Sequence, residues 1–330
     1  MEKKFLLPNT NRYKANLHCH TTCSDGKITP EDMKAAYKAR GYSVVAFTDH
    51  EYIVNHQELN DGDFIAITAY EYSINEEPHG ARQEWNDLRC CHLNFYAKDP
   101  HMDKHVCFHP KYVWGPGKAV ANTLAYVGPL YERDYADIQH VIDCAREAGY
   151  LVCFNHPYWS LQPQEDYFHL KGLFAMEIYN TGCWDISGHS LYDYNLLAEY
   201  NPSVAPVASD DNHNHSGDIE NSDSFGGYTM IYTDDFSYTG ILSAMERQDF
   251  YASTGIDFGE LSVTGDVLHV ESTSCTNIMV YFGGRRWTQK TASDGIASAD
   301  FKIPADAKYI RVICLDKRNG AYAATKTFLL

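Results

Sequence analysis

The feature that most limits the folds open to this chain is a series of short apolar, β-branched runs that stop at side chains able to bind metal. KANLH leads to His18, SVVAFTDH to His50, DFIAITAYE to Glu71 and YLVCFNH to His156, while CHLNFYA opens with His92. LFAMEIYN and SVAPVASDD bring the number of runs to seven. Helical patterns alternate with these runs through about residue 210, the signature of βα units around a mostly parallel sheet. In TPEDMKAAYKARG, Thr29 is placed to cap a helix, Pro30 suits its first position and Gly41 supplies the stop. Residues 134–148, closed by Gly149, read as another helix. The alternation predicts an α/β domain of barrel type.

Beyond Gly255 the texture changes. GELSVTGDVLHVESTS, NIMVYFGGRRW, ADFKIP and KYIRVICLDKRNG alternate as strands between Gly, Asp and Asn turns, with no helical pattern. The expected organisation is therefore a first domain over residues 1–256 and a small β-sandwich-like domain over 257–330. Residues 98–133 have little periodicity and exceed the roughly 15 residues at which a loop calls for a function. This stretch, with His101, His105, His109, Tyr112 and Trp114, is a candidate lid insertion.

Charge narrows the partners. Lys and Arg number 27 and Asp and Glu 44, a balance of 27 − 44 = −17, so a long nucleic-acid track is not expected. The first residues hold only a three-residue apolar stretch, Phe5 to Leu7, too short for a secretory core. No apolar run approaches the roughly 20 residues needed to cross a bilayer. A cytoplasmic location and no membrane partner are expected, with the ten scattered cysteines as reduced, mostly buried thiols.

His18 and His20 lie two apart on a strand-like segment, so both face one way with Cys19 opposite. Asp25 follows in the turn TTCSDG, and Asp211 and His213 follow the last run. With His50, Glu71, His92 and His156 they make nine nitrogen or oxygen ligand candidates, a chemistry suited to Zn²⁺, Mn²⁺ or Fe²⁺ rather than a thiolate zinc site. Strand-end positions fit the barrel expectation, because such folds build sites at the C-terminal ends of their strands. Asp210 is an alternative to Asp211; strand alternation selects Asp211, which shares a face with His213, and makes Asp49 a supporting residue beside His50.

HCH, SDG, TDH, the strand-end Glu, NHP and DNH together resemble the PHP (polymerase and histidinol phosphatase) superfamily over about residues 14–213. HLN, NHPYW, EIYN and SDDNH resemble the branch that includes carbaryl hydrolase-like proteins. The resemblance implies a distorted (β/α)7 barrel holding two or three divalent metal ions. It implies a first metal on His18, His20, Glu71 and Asp211, and a second bridged by Glu71 and completed by His92 and His156. A third would sit on Asp25, His50 and His213.

Clustered divalent ions make hydroxide available near neutral pH and neutralise an anionic transition state. The expected reaction is hydrolysis of a small anionic phosphate ester by a hydroxide bridging the metals. Arg82, Arg89 and Lys111 are the candidate phosphate contacts, and His189, His215 and His79 the candidate proton donors. Glu177 of EIYN, near the mouth, is read as a buried, hydrogen-bonded residue, with support of the metal ligands as the alternative. Two alternatives stand beside this reading: hydrolysis of a carbamate, ester or amide, and a catalytically silent metal-binding scaffold. An apolar pocket would favour the carbonyl substrate, and anion-clamping Arg or Lys the phosphate. The oligomeric state is left open.

Overall fold

The computed structural model describes residues 2–183 and 188–330 of the chain. Its strands are β1 (Lys3–Phe5), β2 (Arg12–Asn16), β3 (Tyr42–Phe47), β4 (Ile65–Asn75), β5 (Cys90–Ala97), β6 (Tyr150–Phe154), β7 (Ala175–Asn180) and β8 (Ala205–Ser209). They continue with β9 (Tyr228–Tyr232), β10 (Phe250–Ser253), β11 (Phe258–Thr264), β12 (Val267–Gly283), β13 (Arg286–Lys302), β14 (Tyr309–Leu315), β15 (Tyr322–Thr325) and β16 (Phe328–Leu329). The helices are α1 (Pro30–Ala39), α2 (Ile138–Glu147), α3 (Gln164–Tyr167), α4 (Leu191–Tyr200) and α5 (Tyr238–Glu246). The fold is mixed α/β with a β-rich C-terminal region.

Helix α1 forms where its end signals lie. The Thr29 side chain accepts from the Asp32 N–H, Pro30 opens the helix, and Gly41 follows it at φ +76°. Met33 and Tyr37 on its buried face meet Val45 and Phe47 of β3. The intervening Val44 and Ala46 point the other way, into a second cluster. That cluster also collects Ala15 and Leu17 at β2, Ile67 and Ala69 of β4, Cys153 of β6, Ala175 of β7 and Ala205 and Val207 of β8. Strands from both ends of the series thus share one interior, and Ile241, Leu242 and Met245 of α5 pack into it. The rim is bridged where β2 and β8 end: the Asp211 N–H donates to His18 O at 2.8 Å and the His20 N–H to Asn212 O at 3.1 Å.

The expected parallel sheet is interrupted. β2, β3 and β4 run parallel, as do β6, β7 and β8, but β5 lies antiparallel to both β4 and β6. Residues 76–89, which join β4 to β5, hold a tight turn closed between His79 and Arg82 and a single 3-10 turn, Trp85–Asp87, with no α-helix. Without a crossover helix the chain returns beside its own strand. β5 consequently begins at the rim where its parallel neighbours end.

In the C-terminal region the long strand β12 pairs with β11, β13 and β14. β15 pairs with β14 on one side and with β10 on the other, so hydrogen bonding continues across residue 256 into the preceding part of the chain. Among the described residues no helix is long and apolar enough to cross a membrane.

Candidate metal centre

Strand alternation supplies the centre of the site. On β4, Ile67 and Ala69 face the interior, and Glu71, two residues on, continues that face at the rim. Its carboxylate is buried and surrounded by five imidazoles. His18 Nε2, His92 Nδ1 and His156 Nε2 lie 3.2, 3.0 and 3.3 Å from Oε1. His50 Nδ1 and His20 Nε2 lie 3.0 and 3.4 Å from Oε2. His92 gets there because β5 is antiparallel; as the third residue of its strand it would sit at the far rim of a parallel one.

The remaining carboxylates complete two overlapping clusters. Asp211 Oδ1 is 3.1 Å from His18 Nε2 and 2.9 Å from His20 Nε2, and these two nitrogens are 3.2 Å apart. Asp25 Oδ1 is 3.4 Å from His213 Nε2 and 3.8 Å from His50 Nε2. Ligand atoms of His18, His20, Glu71 and Asp211 lie within 4.8 Å of one another, as do those of His20, Asp25, His50 and His213. The structure thus brings all nine candidate side chains to one rim.

Asp210 faces away and accepts from the Tyr37 and Thr181 hydroxyls and the backbone N–H groups of Phe225, Gly226 and Gly227. Asp49 accepts from the N–H and hydroxyl of both Thr21 and Ser24, fixing the loop that carries Asp25. His156 departs from the extended backbone expected before proline: its φ is +23°, whereas His109, before Pro110, is extended at φ −146°. Val152 and Phe154 of β6 face outward. Continued alternation would send His156 outward too, and the left-handed turn brings it back to Glu71. Asp211 is also left-handed, at φ +52°.

Protonation follows from this crowding. Burial would lower His18 and His20, but Asp211 and Glu71 outweigh it, holding His18 well above the ordinary imidazole range and raising His20 to about 10. Burial would likewise raise Glu71, yet His18, His92 and His50 hold its carboxyl well below the usual range. His213 goes the other way, lowered to about 4 by burial and by His20. Protons and divalent cations compete for these nitrogens.

Supporting contacts orient the ligands. Glu177 Oε1 accepts from His18 Nδ1 at 3.1 Å, which directs His18 Nε2 to the cluster. Asn155 Nδ2 donates to Glu71 Oε1 and Asn180 Nδ2 to Asp211 Oδ2, both at 3.0 Å. Even so, His20 Nδ1, Glu71 Oε2 and Asp211 Oδ1 are buried without a hydrogen-bond partner, close neighbours notwithstanding. Converging imidazole and carboxylate lone pairs with orphaned oxygens fit divalent cations.

The candidate substrate and acid residues are placed differently. Arg82 and Arg89 pair with Glu76, Arg89 also with Asp166, and Lys111 with Glu132. None lines the cavity above the metal ligands, because nearby carboxylates hold all three elsewhere. His79 pairs with Glu76 outside the cavity, and the exposed His189 packs against Tyr179 and Tyr322. His215 does line the cavity, its ring 5.2 Å from that of His213. From the 98–133 stretch only Trp114 lines it, 4.9 Å from the His50 ring. Arg133 ties the end of that stretch down through Glu51, at 2.8 and 2.6 Å, and Ser73 O, at 2.7 Å. Nothing in the sequence marked Trp85 or Trp159 as lining residues, and Glu177, expected to be buried and hydrogen-bonded near the mouth, has His18 as its partner. The signal for Glu177 was its parity with Ala175 on β7.

The fold and the cluster together define a protein with candidate sites for divalent metal ions on an α/β scaffold. Residues 16–103 match the PHP domain family model. A 5'-3' exoribonuclease from Haemophilus influenzae is 32% identical over 93 residues, an alignment that covers 27% of this chain and 31% of the relative. A two-domain protein from Bacteroides vulgatus, described as containing a predicted PHP-like metal-dependent phosphoesterase, is similar at TM-score 0.48 and 12% identity, over 98% of each chain. An amidohydrolase from Chromobacterium violaceum, solved with sulfate and no metal, is similar at TM-score 0.35 and 14% identity, over 60% of this chain and 87% of its own.

Proposed function

We propose that this protein is a metal-dependent phosphoesterase that hydrolyses a small phosphate ester at a site for two or three divalent ions. The observation that carries the reading is the buried Glu71 carboxylate, with five imidazoles at 3.0–3.4 Å and Asp211 and Asp25 completing the donor set. His18, His20, Glu71 and Asp211 would hold one ion, Glu71, His92 and His156 a second, and Asp25, His50 and His213 a third. Divalent ions bound there supply water of lowered pKa and neutralise charge on the reacting oxygens. The chain's own residues do the rest: Glu177 and Asn180 orient ligands, and His215 stands at the cavity as a candidate proton carrier. The similarity to an exoribonuclease over 93 residues supports phosphorus as the centre attacked. A distorted (β/α)7 barrel is the proposed fold, supported by the interior shared between β2 and β8 and by the bridged rim.

A second reading, hydrolysis of a carbamate, ester or amide, is favoured by one observation. Among the described residues lining the cavity there is no Lys or Arg, and three tryptophans are present. The test is chelator-stripped protein reloaded with Mn²⁺, Zn²⁺ or Fe²⁺ and offered phosphomonoesters, phosphodiesters, carbamates, esters and amides. Metal-dependent hydrolysis of phosphate esters is expected. Inertness toward them with turnover of the carbonyl compounds would replace the first reading by the second.

A further inference from the structure

The cavity over the metal ligands has a volume of about 610 Å³, far more than a phosphate group needs. Among the described residues three tryptophans line it. Trp85, Trp114 and Trp159 are 58%, 42% and 37% exposed, and such large apolar rings gathered at one opening mark a binding surface. Trp159 packs against His92 and His156 with ring centroids 5.6 and 5.0 Å apart, and Trp85 stands edge-on to it at 6.1 Å. Trp114 lies beside His50, on the side of the other Glu71 oxygen. Trp159 and Trp114 therefore stand on opposite sides of the Glu71 carboxylate, flanking the part of the cavity above the metal ligands where a scissile group would lie. A smaller hollow of about 140 Å³ opens between Trp85, Trp159 and Leu161.

The wall's charge restricts what accompanies the scissile group. Outside the proposed metal ligands the carboxylate on the wall is Asp223, and no Lys or Arg among the described lining residues stands beside it. A second anionic group away from the metals would meet the Asp223 carboxylate and find no Lys or Arg, whereas a neutral flat ring would meet indole faces and edges.

We propose that the substrate carries an uncharged aromatic ring next to its hydrolysable group, and that Trp85 and Trp159 bind this ring. The inference rests on the metal-dependent hydrolase reading and names the substrate class for that site. Stacking of this kind corresponds to about two- to tenfold in an equilibrium or specificity constant.

The experiment compares benzyl phosphate with cyclohexylmethyl phosphate on metal-loaded protein, because the two share the chemistry of the leaving alcohol and differ in ring flatness. The benzyl ester is expected to have the higher kcat/KM by about two- to tenfold, mainly through KM. Trp159→Leu and Trp85→Leu should remove the preference and Trp159→Phe should restore it. Equal kcat/KM for the two esters would overturn the ring proposal and leave the phosphoesterase reading standing. If neither ester turns over, tryptophan fluorescence is titrated with benzylphosphonate. Binding lost in Trp159→Leu and kept in Trp159→Phe would support the ring subsite while the phosphoesterase reading fails, and no binding would overturn the ring proposal.

Discussion

Replacing Glu177 by Gln tests how this chain prepares its first histidine. Each oxygen of the buried carboxylate accepts two hydrogen bonds. Oε1 accepts from His18 Nδ1 at 3.1 Å and Ser209 Oγ at 2.5 Å, and Oε2 from the His156 N–H at 3.1 Å and Asn180 Nδ2 at 2.9 Å. A glutamine must set its NH2 against one of these pairs. The backbone N–H of His156 cannot become an acceptor, so the amide nitrogen goes to the Oε1 side. There the Ser209 hydroxyl can rotate to accept, and His18 can meet the new donor only by moving its proton from Nδ1 to Nε2. Nε2 is the atom that faces Glu71 and Asp211, and once protonated it cannot ligate. Loss of such an orienting contact costs about 10- to 100-fold in metal affinity, or about 1.4–2.8 kcal/mol. Calorimetric titration of chelator-stripped Glu177→Gln protein with Mn²⁺ or Zn²⁺ should show this weakening, with urea unfolding still cooperative. A folded variant that binds metal within twofold of the unsubstituted protein would refute the reasoning.

Two further outcomes follow from buried charge. Arg133 and Glu51 form a bidentate pair 7% and 2% exposed, the guanidinium packed against the Tyr72 and Tyr112 rings, so Arg133→Met leaves an unpaired buried carboxylate. The expected loss is about 3–5 kcal/mol in urea denaturation; recovery of part of it in Arg133→Met/Glu51→Gln would confirm the cause, and no recovery would contradict it. Burial would raise Glu76, but bonds from the Arg89 backbone and side chain, His79 and Arg82 outweigh it and lower the carboxyl to about 2. A depressed folded value means stability present above the unfolded pKa of about 4.3 and lost as the pH falls through about 2. The stability gap between the unsubstituted protein and Glu76→Gln should therefore shrink on acidification from pH 5 toward 2, and a gap that is constant over that range would show the carboxylate is not held by these donors.

Much of the site was legible because its chemistry follows local rules. Glu71 lies at an interior position of an alternating strand, Asp211 keeps the parity of Ala205 and Val207, and Thr29, Pro30 and Gly41 carry the end signals of α1. Other features had no local signature. Arg82 and Arg89 read as possible anion clamps until Glu76 and Asp166 are placed beside them, which depends on the fold of the connection after β4 and on a segment about eighty residues further along the chain. Trp85 and Trp159 are equally distant in sequence and meet only at the cavity.

By itself the sequence determined the types and spacing of the ligand candidates, the alternation that turns Glu71 inward, and a net charge of −17. Only the tertiary structure decided the direction of β5, the inward turn of His156, the pairing of Glu177 with His18 and the tryptophan wall. The physical reason is range. Side-chain parity and helix caps are set within a few residues, whereas metal ligation and substrate contact depend on strand order and direction, which arise from packing between segments far apart in the chain.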